Sequence, residues 1–180
     1  MPVLENEKVL LSPLDKQILP LSVKWLNDPE VIQGLLIFLP LTEIAEEKWI
    51  EKTSVSENDV VFIIKKKMPD GTTIPIGICG LHGISWKDRC GTFGIFIGEK
   101  DSWGSGLGPE AGKLLIRYGF EQLNLNRINS SVIDFNQRSV GMHEKLGFRV
   151  EGKKRQMIFK NNRFADEIIL GLLKEEWQDE

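Results

Sequence analysis

The stretch Phe93-Gly94-Ile95-Phe96-Ile97-Gly98, followed by Trp103-Gly104-Ser105-Gly106-Leu107-Gly108-Pro109-Glu110-Ala111, decides how the chain is read. The first run is apolar enough for a buried strand. After the second, Ala111, Leu114, Leu115 and Tyr118 recur at helical spacing. Between them, glycine at alternate positions 104, 106 and 108 leaves the backbone bare, so an anion can approach the amide N–H groups. Pro109 suits the first turn of a helix, where a missing N–H costs nothing. Strand, bare loop and helix N-terminus together make a phosphate cradle. The same residues also suit a tight strand-to-helix turn, and the rest of the chain must decide between the two.

A dinucleotide fits the loop poorly. A G-x-G-x-x-G fingerprint starting at Gly104 needs its third glycine where Pro109 stands, and an acidic residue about 20 positions on, where the chain has Ile128, Asn129 and Ser130. A nucleotide-binding P-loop ends in G-K-[ST], and Gly108-Pro109-Glu110 supplies no lysine.

At 180 residues, 41% hydrophobic and 27% charged, the chain has room for one sizeable core, and residues 1–180 are read as a single domain. A net charge of −3 provides no basic field for nucleic acid. No apolar stretch reaches the length of a membrane span, and the N-terminus lacks signal-peptide character, so a cytoplasmic location is expected with no membrane partner. Cys79 and Cys90 form neither a disulfide framework nor a metal quartet; no metal is expected, and both suit small apolar packing.

Val9 and Leu11 alternate in a short first strand ending near Pro13. A helical region over 18–26 is interrupted by Pro20, and Asn27-Asp28-Pro29-Glu30 is turn chemistry. Thr42 suits an N-cap, with Glu43 and Glu46 in the first turn of a helix through Trp49 and Ile50, its acidic face read as solvated. Strands are predicted at 60–64, 74–84 and 90–97, then a helix to about 123, a strand at 128–133, and a helix from about 137 to 146 stopped by Gly147. Two last strands flank Asn161-Asn162, a pair that tolerates positive φ in a hairpin. The order gives an α+β fold rather than a doubly wound sheet.

Asn136-Gln137-Arg138-Ser139 and His143-Glu144-Lys145-Leu146-Gly147-Phe148 form the second informative stretch. Asn136 can cap the helix, and Ser139 and His143 share one of its faces. Alone these residues describe only a capped helix with a glycine stop. With the cradle, they resemble the GNAT superfamily of acyl-CoA-dependent N-acetyltransferases. Its pyrophosphate loop, Q/R-x-x-G-x-G/A, is matched by Trp103 to Gly108. Its later N-x-x-S/A and Y-x-K-x-G-F elements are matched by Asn136 to Ser139 and His143 to Phe148. Trp103-Gly104, Trp25-Leu26-Asn27-Asp28-Pro29-Glu30 and Glu151-Gly152 followed by Arg155 and Asp166 resemble the RimJ/RimL-like branch and its spermidine- and amino-sugar-acetylating relatives.

The resemblance implies a mixed, mostly antiparallel central sheet with splayed strands flanked by helices. It implies acetyl-CoA as co-substrate, with the pantetheine arm bonded to the main chain of Phe96, Ile97 and Gly98. The pyrophosphate would lie on Trp103, Gly104, Ser105, Gly106, Leu107 and Gly108, while Asn136, Ser139 and Lys145 would complete the binding surface. The reaction implied is direct attack of a primary amine on the acetyl thioester. Trp103 stands at the family's Q/R position, and His143 where relatives carry a tyrosine that protonates the leaving thiolate, so His143 is the candidate acid, able to donate a proton or orient water.

An amine of pKa about 10.4 is only about one part in a thousand unprotonated near neutral pH, worth roughly 4 kcal/mol, so a base is needed. His82 and Glu99 are the candidates. The acceptor is expected to be a small-molecule amine (a polyamine or an amino sugar) or a protein N-terminus, and the enzyme a monomer or homodimer. Two rival readings are a catalytically silent acyl-CoA-binding module and a nucleotide-binding protein using the same loop.

Overall fold

The computed structural model describes residues 4–178. Among them, seven strands form one sheet: β1 (Val9–Pro13), β2 (Val60–Lys67), β3 (Thr73–Ser85), β4 (Cys90–Ile97), β5 (Arg127–Ile133), β6 (Arg149–Lys160) and β7 (Arg163–Leu173), in spatial order β1-β2-β3-β4-β5-β7-β6. Four α-helices flank it: α1 (Leu19–Leu26), α2 (Glu43–Ser54), α3 (Leu107–Arg117) and α4 (Gln137–Lys145). The mixed, mostly antiparallel sheet expected from the sequence is the sheet observed.

Strand β2 shows why its apolar run is continuous. Phe62 and Ile64 enter the core beneath α3, while Val61 and Ile63 enter a second core with Trp25 of α1 and Ile50 of α2. A strand covered on both faces has no polar side to show. Helix α3 buries Leu107, Ala111, Leu114 and Leu115 on its sheet-facing side, and Gly112 lets it approach Leu146 closely. Truncating the fully buried Leu115 to alanine would cost about 2–5 kcal/mol.

The feature that matters for function is the seam between β4 and β5, the sheet's parallel pair. Its register holds only Cys90 with Arg127, Gly91 with Ile128 and Thr92 with Asn129. Beyond Thr92 the ladder stops while β4 continues to Ile97, still paired with β3. The strands separate there, giving the splay implied by the family resemblance.

Two local readings change. Pro20 does not interrupt a helix: a 3-10 turn over Lys16–Ile18 leads into α1, and Pro20 sits in the first helical turn, where its missing N–H has no partner to lose. Helix α2 begins as expected, with Thr42 Oγ1 accepting from the Ala45 N–H at 3.1 Å, but its acidic face is not wholly solvated, because Glu46 is only 3% exposed. The last hairpin turns on Asn161 and Asn162 with φ of 52° and 58°, as the asparagine pair predicts.

Candidate functional site

Two cavities open where β4 leaves β5, and they meet. The first, about 680 Å³, is a cleft lined by the glycine loop, the N-terminal half of α4 and the outer part of β4. The second, about 450 Å³, lies under the loop that precedes α2, against β3 and β4. Leu35, Ile95 and Phe96 line both.

The glycine loop is shaped for an anion. Gly104 and Gly106 have φ of +75° and +78°, and a Cβ at either would meet no heavy atom within 4 Å. Glycine is required there by backbone conformation, not crowding. Among the described residues, no backbone carbonyl accepts from the N–H of Gly104, Ser105 or Gly106, and the first amides of α3 are free by the geometry of any helix start. These donors, the helix dipole, and Arg138 and Lys145 at the cleft wall suit a pyrophosphate. Trp103 is half-buried. Its indole N–H donates to the Ile97 carbonyl at 2.8 Å, and the Arg138 guanidinium lies 5.2 Å from its ring centroid. Ser105 turns away, its hydroxyl donating to the Ser102 carbonyl, and its side chain does not line the cleft.

Main-chain groups of β4 alternate in direction. The Gly98 N–H donates to the Ile76 carbonyl at 2.8 Å, so Gly98 and, two residues back, Phe96 are committed to β3. The Phe93 carbonyl oxygen lies 3.3 Å from Ser130 Oγ of β5, which places the polar groups of Phe93, Ile95 and Ile97 on the gap side. Of the three residues expected to offer main-chain bonds, only Ile97 faces the gap, and its carbonyl is already taken by Trp103. Ile95 belongs to the site and was missed, because strand parity depends on a register with β3 that the sequence does not disclose.

Asn136 caps α4, accepting from the Ser139 N–H at 3.1 Å, and it lines the cleft. A Cβ at Gly34 would lie 2.2 Å from Asn136 Nδ2, so that glycine is what allows the loop before α2 to close against α4. Ser139 and Lys145 also line the cleft.

His143 does not. It is 3% exposed, wedged against Phe93 and Phe148, with Nε2 2.8 Å from Ser130 Oγ and Nδ1 2.7 Å from the Ser139 carbonyl. Nδ1 therefore carries the proton and Nε2 accepts. Burial holds the imidazole below its ordinary pKa, partly opposed by the Ser139 bond. The expected acid is a neutral core residue with both nitrogens engaged. Glu99 is likewise removed from the chemistry: its carboxylate accepts from the Trp25 indole at 2.8 Å, lies 3.5 Å from Lys24 Nζ, and lines neither cavity.

His82 does face the second cavity. Its ring lies over Gly80 and Gly94, where a Cβ would approach Nε2 to 3.0 and 3.6 Å. Nδ1 is 3.4 Å from Asp59 Oδ1, and Asp59 is itself fixed by Ser56 Oγ at 2.7 Å and the Gly83 N–H at 3.0 Å. Burial works against the Asp59 charge, but these donors and His82 outweigh it and hold the carboxyl below its ordinary pKa. An ionised carboxylate orienting an imidazole toward a cavity is a general-base arrangement.

Two further residues were not among the site residues expected from the sequence. Glu46 lines the second cavity, and one of its oxygens accepts from Ser22 Oγ; burial raises its pKa against that bond. Its spacing from Ile50, one helical turn on, was the available signal. Lys160 Nζ, from the hairpin, donates to the carbonyls of Ile32 (2.6 Å), Leu35 and Ile37 (3.3 Å), and pins the loop that covers the cavity. No local pattern announces that contact.

The acetyltransferase (GNAT) domain profile matches residues 8–149. An uncharacterized N-acetyltransferase p20 of Bacillus licheniformis is 30% identical over 181 residues, covering 98% of this chain and 99% of that protein. Spermidine N(1)-acetyltransferase of Escherichia coli K12 is 31% identical over 101 residues, 56% of this chain and 54% of that one. In fold, the chain is similar to spermidine N-acetyltransferase from Vibrio cholerae, crystallised with CoA and spermine, at a TM-score of 0.86 and 22% identity over 95% of this chain and 98% of that one. With the splayed seam, the bare glycine loop and the capped α4 in their places, the chain belongs to the GNAT acetyltransferase family.

Proposed function

We propose that the protein transfers acetyl from acetyl-CoA to a primary amine by direct attack. The observation that carries this reading is the junction of the two cavities at Leu35, Ile95 and Phe96. A phosphate-shaped cleft and an apolar cavity beside a histidine meet at the unpaired edge of β4. The amides of residues 104–108 and the cations of Arg138 and Lys145 would hold the phosphates. The gap-facing main chain of Ile95 and Ile97 would bond the pantetheine amides and polarise the thioester carbonyl. His82, oriented by Asp59, would take the proton of the bound ammonium, directly or through water. The amine nitrogen then attacks the thioester carbon, the C–S bond breaks, and the nitrogen's surplus proton passes, directly or through water, to the departing thiolate, leaving the amide and the coenzyme A thiol. A thiol of pKa about 8.5 leaves without strong acid assistance, consistent with a buried, fully bonded His143.

The test is thiol release from acetyl-CoA with a panel of amines, alongside calorimetry of acetyl-CoA binding. Removal of His82 as alanine should lower kcat by about 10²–10⁴ while leaving the acetyl-CoA Kd unchanged. Binding without thiol release on any amine would sink the enzymatic reading and leave a silent acyl-CoA-binding module.

A further inference from the structure

Building on the acetyltransferase reading, we infer that the acceptor is a small monoamine: a single ammonium carried on an apolar alkyl or aryl body, held by Glu46. The cavity wall is Leu26, Leu35, Ile37, Leu41, Trp49 and Ile78, joined by the β4 side chains at the cavity junction. Its charge-bearing groups are Glu46 and His82; the Cys79 thiol also lines it, and burial pushes its pKa up and keeps it neutral.

Glu46 is a buried carboxyl with one protein partner. Ser22 Oγ donates to one oxygen, and the other has no hydrogen-bond partner among the described residues although the side chain lines the cavity. Burial favours its neutral form, so an arriving cation is what completes it as a carboxylate. One ammonium matches one carboxylate. His82, on the β3 wall of the same cavity, then accepts the proton, and the neutral amine is free to attack.

The same inventory argues against the other amines. A polyamine brings further ammonium groups a few methylenes away, each needing a carboxylate or water, and the wall offers leucine, isoleucine and tryptophan instead. The other acids of α2 do not help: Glu43 is exposed, Glu47 and Glu51 are paired with Lys16 at 3.3 and 2.6 Å, and none of the three lines the cavity. An amino sugar would bury several hydroxyls against a wall that returns few hydrogen bonds. A peptide would bring backbone amides with the same need. Lys160, bound to three loop carbonyls, and Asn27, whose side chain bonds the Leu41 N–H at 2.9 Å and the Leu41 carbonyl at 2.8 Å, hold the apolar cover in place.

The experiment measures thiol release from acetyl-CoA with 2-phenylethylamine, hexylamine, spermidine, glucosamine and a tetrapeptide with a free N-terminus. The monoamines should exceed the other three in kcat/KM by at least about tenfold. Glu46→Gln should raise KM for 2-phenylethylamine by about tenfold or more, with the acetyl-CoA Kd by calorimetry unchanged. Leu41→Asp, at the partly exposed edge of the wall, adds a second carboxylate and should move the spermidine-to-phenylethylamine ratio upward by a similar factor. That variant keeps the question open to measurement if Glu46→Gln folds poorly. A preference for spermidine, glucosamine or the peptide overturns the inference and leaves the acetyltransferase reading standing. So does an unchanged KM in a folded Glu46→Gln protein. No thiol release with any amine overturns both.

Discussion

The indole N–H of Trp103 lies 2.8 Å from the Ile97 carbonyl oxygen, so a loop side chain closes the hydrogen bond that the splay of β4 would otherwise leave open. The residue at the family's Q/R position acts here on the strand next to the loop. Trp103→Phe keeps the ring and its packing but removes the donor. About 1 kcal/mol of stability should be lost in denaturant unfolding. Acetyl-CoA should also bind more weakly by calorimetry, because the loop and the strand edge lose their shared anchor. An unchanged unfolding midpoint would show that the bond is replaced by solvent at no cost.

Gly106 tests the cradle. Its φ of +78° is one that a β-branched residue avoids, and a Cβ there would meet no protein atom and project into open space beside the loop. Gly106→Val should therefore cost backbone strain of roughly 1–3 kcal/mol while the far-UV circular dichroism stays native. Acetyl-CoA binding should disappear. Native affinity in the folded variant would remove the loop from phosphate recognition.

How far the sequence reaches into this site depends on the kind of contact. The glycine loop, the Asn136 cap and the stop at Gly147 are local chemistry, and their residues identify themselves. The buried Glu46 was half-legible, since it sits one turn from Ile50 on a helix whose start at Thr42 is plain. Which main-chain groups of β4 face the gap was not legible, because parity follows from the Gly98–Ile76 bond across strands. His143 misled for a related reason: its position in the motif is local, but its partner Ser130 lies on another strand, and that partner makes it a core residue. Lys160 reaches back more than a hundred positions to Ile32, beyond any motif.

His143 predicts a pH dependence of stability. Burial lowers its pKa in the fold, so the unfolded chain takes up the proton first as the pH falls. The stability owed to the neutral imidazole is complete above the unfolded value of about 6.5 and is lost on acidification through the folded-state pKa, at up to about 1.4 kcal/mol per pH unit. His143→Phe fits beside Phe93 and Phe148 but leaves Ser130 without its nitrogen partner, which should cost about 1–3 kcal/mol at neutral pH. Between roughly pH 7.5 and 5.5 its stability should fall less steeply than that of the wild type. Parallel slopes in urea titrations would contradict the assignment.

Lys160 should matter to the amine and not to acetyl-CoA. Lys160→Met preserves length and apolar stem but releases the carbonyls of Ile32, Leu35 and Ile37. The cover of the second cavity then loosens, and KM for the amine should rise by several-fold, roughly 1 kcal/mol of lost preorganisation. Acetyl-CoA affinity should hold, because the loop amides of residues 104–108 are untouched. A matched loss of both affinities would instead make Lys160 a general support of the fold.

The Asp59–His82 pair yields the sharpest prediction about the chemistry. Asp59 meets no wall of either cavity at the junction; it sits behind the imidazole, 3.4 Å from Nδ1, held by Ser56 and the Gly83 N–H. In the proposed mechanism its effect would be exerted through His82, by favouring the tautomer that leaves Nε2 as acceptor and by stabilising the imidazolium formed when the ammonium gives up its proton. Asp59→Asn keeps the shape and an oxygen for Gly83 but removes the charge. The rate should fall by about ten- to a hundredfold, less than on removal of His82 itself. The loss should fall on kcat, with KM for the amine and the acetyl-CoA Kd near wild type, because neither ligand touches Asp59. It should also shrink for an amine of low pKa, such as a fluorinated ethylamine, which arrives largely unprotonated and needs no base. A structural role would lower the rate equally for both amines. Equal losses would therefore move Asp59, and His82 with it, out of the proton-transfer step.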